Sequence, residues 1–92
     1  MLPIKWKTSA REDLATIVDY IEQYNPKAAE RIREQIEQAT LALPHNPYQY
    51  RRSERISGTR ELVAHPNYLV FYSVSDISIE IIAVVHAKRD YP

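Results

Sequence analysis

Six side chains in the second half of the chain have chemistry to offer: Arg60, Tyr68, His86, Lys88, Arg89 and Tyr91. Each has two readings. Lys88 and Arg89 are adjacent cations that could grip a phosphate or an acidic protein segment equally well. His86 falls late in an apolar run, where an imidazole either closes off a sheet or exchanges a proton near neutrality. Arg60 has Glu61 beside it on the opposite face of an extended pattern. It is either solvated and paired with a neighbour or held ready for a partner. Tyr68 follows the turn His65-Pro66-Asn67, and Tyr91 is the group placed after Arg89 with a proton to give. His65 precedes a proline and reads as a turn residue. The three histidines, His45, His65 and His86, have no metal-ligand spacing, so no metal is assigned and no cofactor is expected. Arg51, Arg52 and Arg55 read most simply as a solvated loop.

Something must position these groups, and the stretch from Ile56 to Arg89 is suited to it. Three runs rich in Val, Ile, Tyr and Phe are separated by two short polar breaks, His65-Pro66-Asn67 and Ser75-Asp76. Residues of this kind suit a pleated, half-buried surface, and breaks this short demand antiparallel neighbours. In the first turn Pro66 presets φ and Asn67 tolerates the second position. The pattern predicts a three-stranded meander whose last strand delivers His86 to Tyr91. That strand is apolar on both faces, with Ile77, Ile79, Ile81, Ala83 and Val85 on one and Ile82 and Val84 on the other. Such a strand is central or covered twice. One face must bury; the other, shared by Tyr68, Val70, Tyr72 and Val74, is either an exposed partner surface or scattered surface residues.

The chain before Ile56 reads as the cover. Leu2, Ile4 and Trp6 alternate with Lys5 and Lys7, which predicts a short strand. Ser9 and Glu12 form a capping-box signature, followed by an apolar stripe of Ala10, Leu14, Ile17, Val18 and Ile21, with Asp13 on the wet side. The helix should stop near Tyr24. Asn25-Pro26 starts a second helix, Asn as cap and Pro at the first position. Its stripe is Ala29, Ile32, Ile36, Ala39 and Leu43, and Pro44 ends it. With almost no linker the two helices form an antiparallel hairpin. The segment from His45 to Glu54 is irregular, with a helical turn expected at Pro47 to Tyr50.

Composition bounds the rest. Ninety-two residues make a single domain over 1–92, and the absence of cysteine excludes a disulfide scaffold or thiolate metal site. No apolar run is long enough to span a membrane, and the N-terminus lacks a signal-peptide core, which points to a cytoplasmic protein. Twelve basic side chains balance twelve acidic ones, which argues against a general nucleic-acid binder.

The order of strand, helix hairpin and meander, with specific residues along it, resembles the RelE/ParE superfamily of small bacterial toxins. The residues are Ala10 with Asp13-Leu14, Tyr20-Ile21, Ala28-Ala29 with Arg31, Pro47-Tyr48, Gly58-Thr59-Arg60-Glu61-Leu62, His65-Pro66-Asn67-Tyr68, Tyr72, and His86 with Arg89. The resemblance implies an α+β fold: an N-terminal strand and an antiparallel helix hairpin packed on one face of an antiparallel sheet with a C-terminal three-stranded meander. It implies the toxin of a type II toxin–antitoxin pair, often carried to stabilise a plasmid, with a cognate antitoxin as partner. RelE-like members cut mRNA on the ribosome; ParE-like members inhibit DNA gyrase, with the A subunit as the expected partner. Cutting RNA needs a base, an acid and charge to stabilise the phosphorane. By the resemblance, Leu69 falls where the nucleases carry Arg and Leu62 where RelE carries Lys, while Arg60 and Arg89 match basic positions. The expectation is therefore the ParE-like branch: a gyrase inhibitor, not a nuclease, with no catalytic residues and no direct nucleic-acid contact. Its target-binding candidates are Arg60, Tyr68, His86, Lys88, Arg89 and Tyr91. The alternatives are a ribosome-dependent mRNA endonuclease and a non-toxic relative that only binds its antitoxin.

Overall fold

The three apolar runs pair as strands β2 (Arg60–His65), β3 (Tyr68–Val74) and β4 (Ile79–His86) of an antiparallel meander. The computed structural model describes residues 1–88. Ahead of the meander come β1 (Ile4–Trp6), α1 (Thr8–Glu22) and α2 (Pro26–Leu41), then one 3₁₀ turn at Leu43–His45. The order in the sheet is β1-β4-β3-β2, and β1 runs parallel to β4. The expected layering holds, but the sheet is mixed, not antiparallel throughout. The reason is connectivity: the α1–α2 hairpin and the meander together carry the chain from β1 back to its neighbour in the same direction, as a crossover must.

Asn25 and Pro26 start α2 as their chemistry requires. The Asn25 side chain accepts from the Ala28 backbone N–H at 3.1 Å, with Pro at the helix start. The helix ends at Leu41, two residues before the expected stop; Leu43 instead buries itself in the following 3₁₀ turn. The inner stripes of the helices bury Ala10, Leu14 and Val18 from α1 and Ala29 and Ile36 from α2 against one sheet face. Ile36 is fully buried there, a burial that stabilises by about 2 kcal/mol.

The expected capping box does not form. The helix starts two residues early, at Thr8, with no side-chain cap. Ser9 donates instead to the Ile82 carbonyl at 3.0 Å, and Asp13, one turn on, accepts from the Val84 N–H at 3.0 Å. Both serve one need. β1 reaches only as far as Ile81 along β4, so beyond that point β4 has an open edge of backbone donors and acceptors. Side chains of α1 satisfy it, covering an edge that would otherwise template another strand. Asp13 is thus a structural acceptor rather than a solvated acid.

A β-bulge resets the faces of β4. Phe71 pairs with Ala83 and Tyr72 with Ile81, leaving Ile82 unpaired between them. An extra residue flips the alternation. Ile79 and Ile81 therefore face the helices together with Val84, Val70 and Tyr72. Ala83 and Val85 join Leu69 and Phe71 in a second cluster on the outer face. The expectation that Val70 and Tyr72 line an uncovered face is reversed: both are fully buried under the helices. The outer cluster is also covered, because the loop before β2 folds back over it and lays Ile56 there.

Candidate functional site

The loop 51–59 is held by a short ladder against the start of β2. Ser53 N–H donates to the Thr59 carbonyl, Glu61 N–H to the Arg51 carbonyl, and Arg52 and Arg60 stand opposite each other in an isolated antiparallel bridge. Gly58 turns the loop with φ of 80°, a left-handed conformation that glycine takes without a side-chain penalty. Glu61 points to the outer face, as its alternation with Arg60 requires. It is almost buried there, accepting from the Ser53 hydroxyl at 2.8 Å with Arg51 at 3.5 Å.

Arg60 lies on the helix side of the sheet, opposite Tyr72. Its guanidinium donates to the Tyr50 carbonyl at 2.7 Å and to the Tyr48 carbonyl at 3.4 Å, and sits 5.2 Å from the Tyr48 ring centre. The Tyr72 hydroxyl donates to the Pro47 carbonyl at 2.6 Å. These two side chains fasten the segment 47–50, which is not the expected helical turn, onto the end of the sheet. Burial pushes the Tyr72 phenol up to about 12, with the Arg60 charge opposing that rise and Tyr50 adding to it. Tyr72 is a structural donor at neutral pH, not an acid. Beside it opens a shallow hollow of about 290 Å³, whose lining includes Tyr48, Arg52, Arg60, Tyr72 and Ser73.

Tyr68, His86 and Lys88 collect at the opposite end of the strands. Tyr68 pairs with His86 across β3 and β4, with ring centres 5.4 Å apart, and the His65 ring lies 5.7 Å from Tyr68 on its other side. Both histidines are tied locally: Nδ1 of His65 accepts from Asn67 N–H at 3.0 Å and Nδ1 of His86 from Lys88 N–H at 3.2 Å. A neutral ring bonded in this way carries its proton on Nε2. Arg89 and Tyr91 lie outside the described residues.

The candidates therefore divide between two places. Arg60 is opposite Tyr72, four strand positions from Tyr68, a separation of roughly 13 Å. Along the backbone Arg60 is thus set apart from the His86 end of the strands, where the neighbouring cation among the described residues is Lys88. Leu62 and Leu69 face opposite sides of the sheet and are buried in its two cores, 3% and 8% exposed. Sequence reasoning missed Tyr72 and Arg60 as a pair of loop fasteners. The alternation pattern, which puts Arg60 on the same face as Leu62, was the available signal.

Among the described residues no helix is long and apolar enough to cross a membrane. Residues 4–91 match the family model for the ParE toxin of the type II toxin–antitoxin system parDE. The chain is 35% identical over 89 residues to Toxin RelE2 of Caulobacter vibrioides, covering 97% of this chain and 99% of that one. It is 39% identical over 90 residues to the putative toxin Y4kP of Sinorhizobium fredii, covering 97% and 92%. Among solved structures, the chromosomal ParDE toxin–antitoxin system of P. aeruginosa superposes with a TM-score of 0.85 at 22% identity, over 96% of this chain and 98% of that one. The DinJ–YafQ complex of E. coli superposes at 0.64 and 11% identity, over 94% and 93%.

Proposed function

The chain belongs to the ParE toxin family of type II toxin–antitoxin systems, within the RelE/ParE superfamily, and from that premise we propose that it arrests growth by binding DNA gyrase, at the A subunit, without chemistry of its own. A cognate antitoxin neutralises it, as the toxin–antitoxin assemblies among its fold neighbours suggest. Both encounters take place in the cytoplasm, where gyrase works.

One observation carries this reading. Leu62 and Leu69, at positions where the resemblance puts cations of the nuclease branch, are packed into separate cores. Arg60, on the same strand face as Leu62, turns Nη1 of its guanidinium to two loop carbonyls. What the sheet offers instead is a rim suited to protein contact, Tyr68, His86 and Lys88; Arg89 and Tyr91 come next in sequence, outside the described residues. An aromatic group beside cations is the composition that carries most binding energy at protein interfaces.

A ribosome-dependent mRNA endonuclease is the second reading, favoured by the name of the Caulobacter relative. Induced expression separates the two. Gyrase inhibition relaxes plasmid DNA and leaves translated messages whole; the nuclease cuts messages at codon-spaced positions while plasmid topology stays normal. Normal growth on induction, with tight antitoxin binding retained, would point instead to a relative that has lost its toxicity.

A further inference from the structure

The hollow beside Arg60 is more than the by-product of a fastened loop. Its lining includes Tyr48, Arg52, Ser57, Arg60, Tyr72 and Ser73, with two arginines and no carboxylate. Three acids are close by: Glu61 alternates to the other face and is already matched by Ser53 and Arg51, while Glu54, beside Ser53, and Glu80, paired opposite Ser73, are not part of the lining. Arg52 and Arg60 are directly opposed in their bridge, which brings two like charges onto one face about 5 Å apart at Cβ. Like charges so placed repel unless something neutralises them. Among the described residues Arg52 has no ion pair or side-chain hydrogen bond, and the Ser57 and Ser73 hydroxyls have no hydrogen-bond partner. Other hydroxyls of the lining are spent: Ser53 on Glu61, Thr59 on the Ile56 carbonyl and Tyr72 on the Pro47 carbonyl.

We propose that this hollow binds a phosphate dianion, free or as the terminal group of a monoester. Charge count selects that ligand. Two guanidiniums match two negative charges, and two free hydroxyls add donors for a group with three terminal oxygens. A carboxylate or an internal phosphodiester brings one charge and leaves one arginine unmatched. The hollow is also larger than a bare phosphate requires, since a water molecule occupies about 30 Å³ in the liquid. Room remains for the group that carries the ester, with the Tyr48 ring at its edge.

Amide NMR shifts of the full chain, titrated at constant ionic strength and pH 7.5, test this. Inorganic phosphate should move the amides of Ser57, Gly58 and Ser73 saturably, and dimethyl phosphate, a monoanion, should not. Affinity for O-phosphoserine should fall at pH 5, below its second phosphate pKa of about 6. Arg52→Gln, at an exposed position, should weaken binding about tenfold, the worth of one charge-assisted contact. Arg31→Gln makes the same charge change on the helix surface and should leave binding as it is. O-phosphoserine and adenosine 5′-monophosphate identify the source: tighter binding of one over inorganic phosphate assigns a phosphorylated side chain or a nucleotide, and equal binding of all three assigns free phosphate. Shifts spread over the whole surface, equal response to dimethyl phosphate, or an Arg52→Gln titration like the parent's would overturn the proposal.

Discussion

Replacing Tyr72 with Phe removes one oxygen and preserves the ring that fills the core. That oxygen donates to the Pro47 carbonyl at 2.6 Å. Losing a hydrogen bond of this kind costs about 1 kcal/mol, and a carbonyl left partly buried without its donor adds to that. The total is about 1–2 kcal/mol, which for a domain of this size lowers Tm by roughly 5–15 °C. The dependence on pH gives a second handle. The phenol ionises at 10 when unfolded and at about 12 in the folded chain. Below pH 10 both states keep the proton, so the contribution is complete. Between 10 and 12 the unfolded state releases its proton first, and stability falls as pH rises. The parent's advantage over Tyr72→Phe should therefore be full at pH 8 and shrink by pH 11. Thermal and urea unfolding of the two proteins at both pH values measure it. An unchanged Tm at pH 8, or an advantage that grows with alkalinity, would refute the reasoning.

Arg60→Met keeps the stem and loses both carbonyl contacts and the contact with the Tyr48 ring; urea unfolding should show a loss of about 2–3 kcal/mol. If Arg60 is a fastener, the folded variant at low temperature should still inhibit gyrase. Gly58→Ala meets no atom within 4 Å, so its cost is backbone alone. It should destabilise by about 1–2 kcal/mol through the left-handed φ, with circular dichroism at room temperature unchanged. Asp13→Ala strands the Val84 N–H and should cost about 1–3 kcal/mol, with faster hydrogen exchange at Val84.

The parts of the fold written in local chemistry could be read in advance. Asn25-Pro26 caps and starts α2 because both effects act within one turn. The alternating Val, Ile and Tyr runs became strands because side-chain type and burial agree along them. Three features were invisible for a common reason: they depend on partners far away in sequence. Ser9 looks like a cap, but the Ile82 carbonyl, 73 residues on, claims its hydroxyl. Ile82 looks like any strand residue, so the bulge that reverses the faces of β4 leaves no trace in residue types. Arg60 looks like a free cation until Tyr48 and Tyr50 turn their carbonyls toward it. The candidate site suffered most. Strand alternation put Tyr68 on one face with Val70 and Tyr72, but gave neither which face the helices cover nor the separation between Tyr68's end of the sheet and Arg60.

The claim at the centre is that this toxin acts by occupying a protein rather than by cutting RNA. Purified protein added to gyrase with relaxed plasmid tests it most directly, read as supercoiled product, with a translated mRNA mapped in parallel for breaks. The account predicts less supercoiling as toxin rises, reversal by the cognate antitoxin, and intact message. Undiminished supercoiling at micromolar folded toxin, together with codon-spaced cuts in the message, would contradict it.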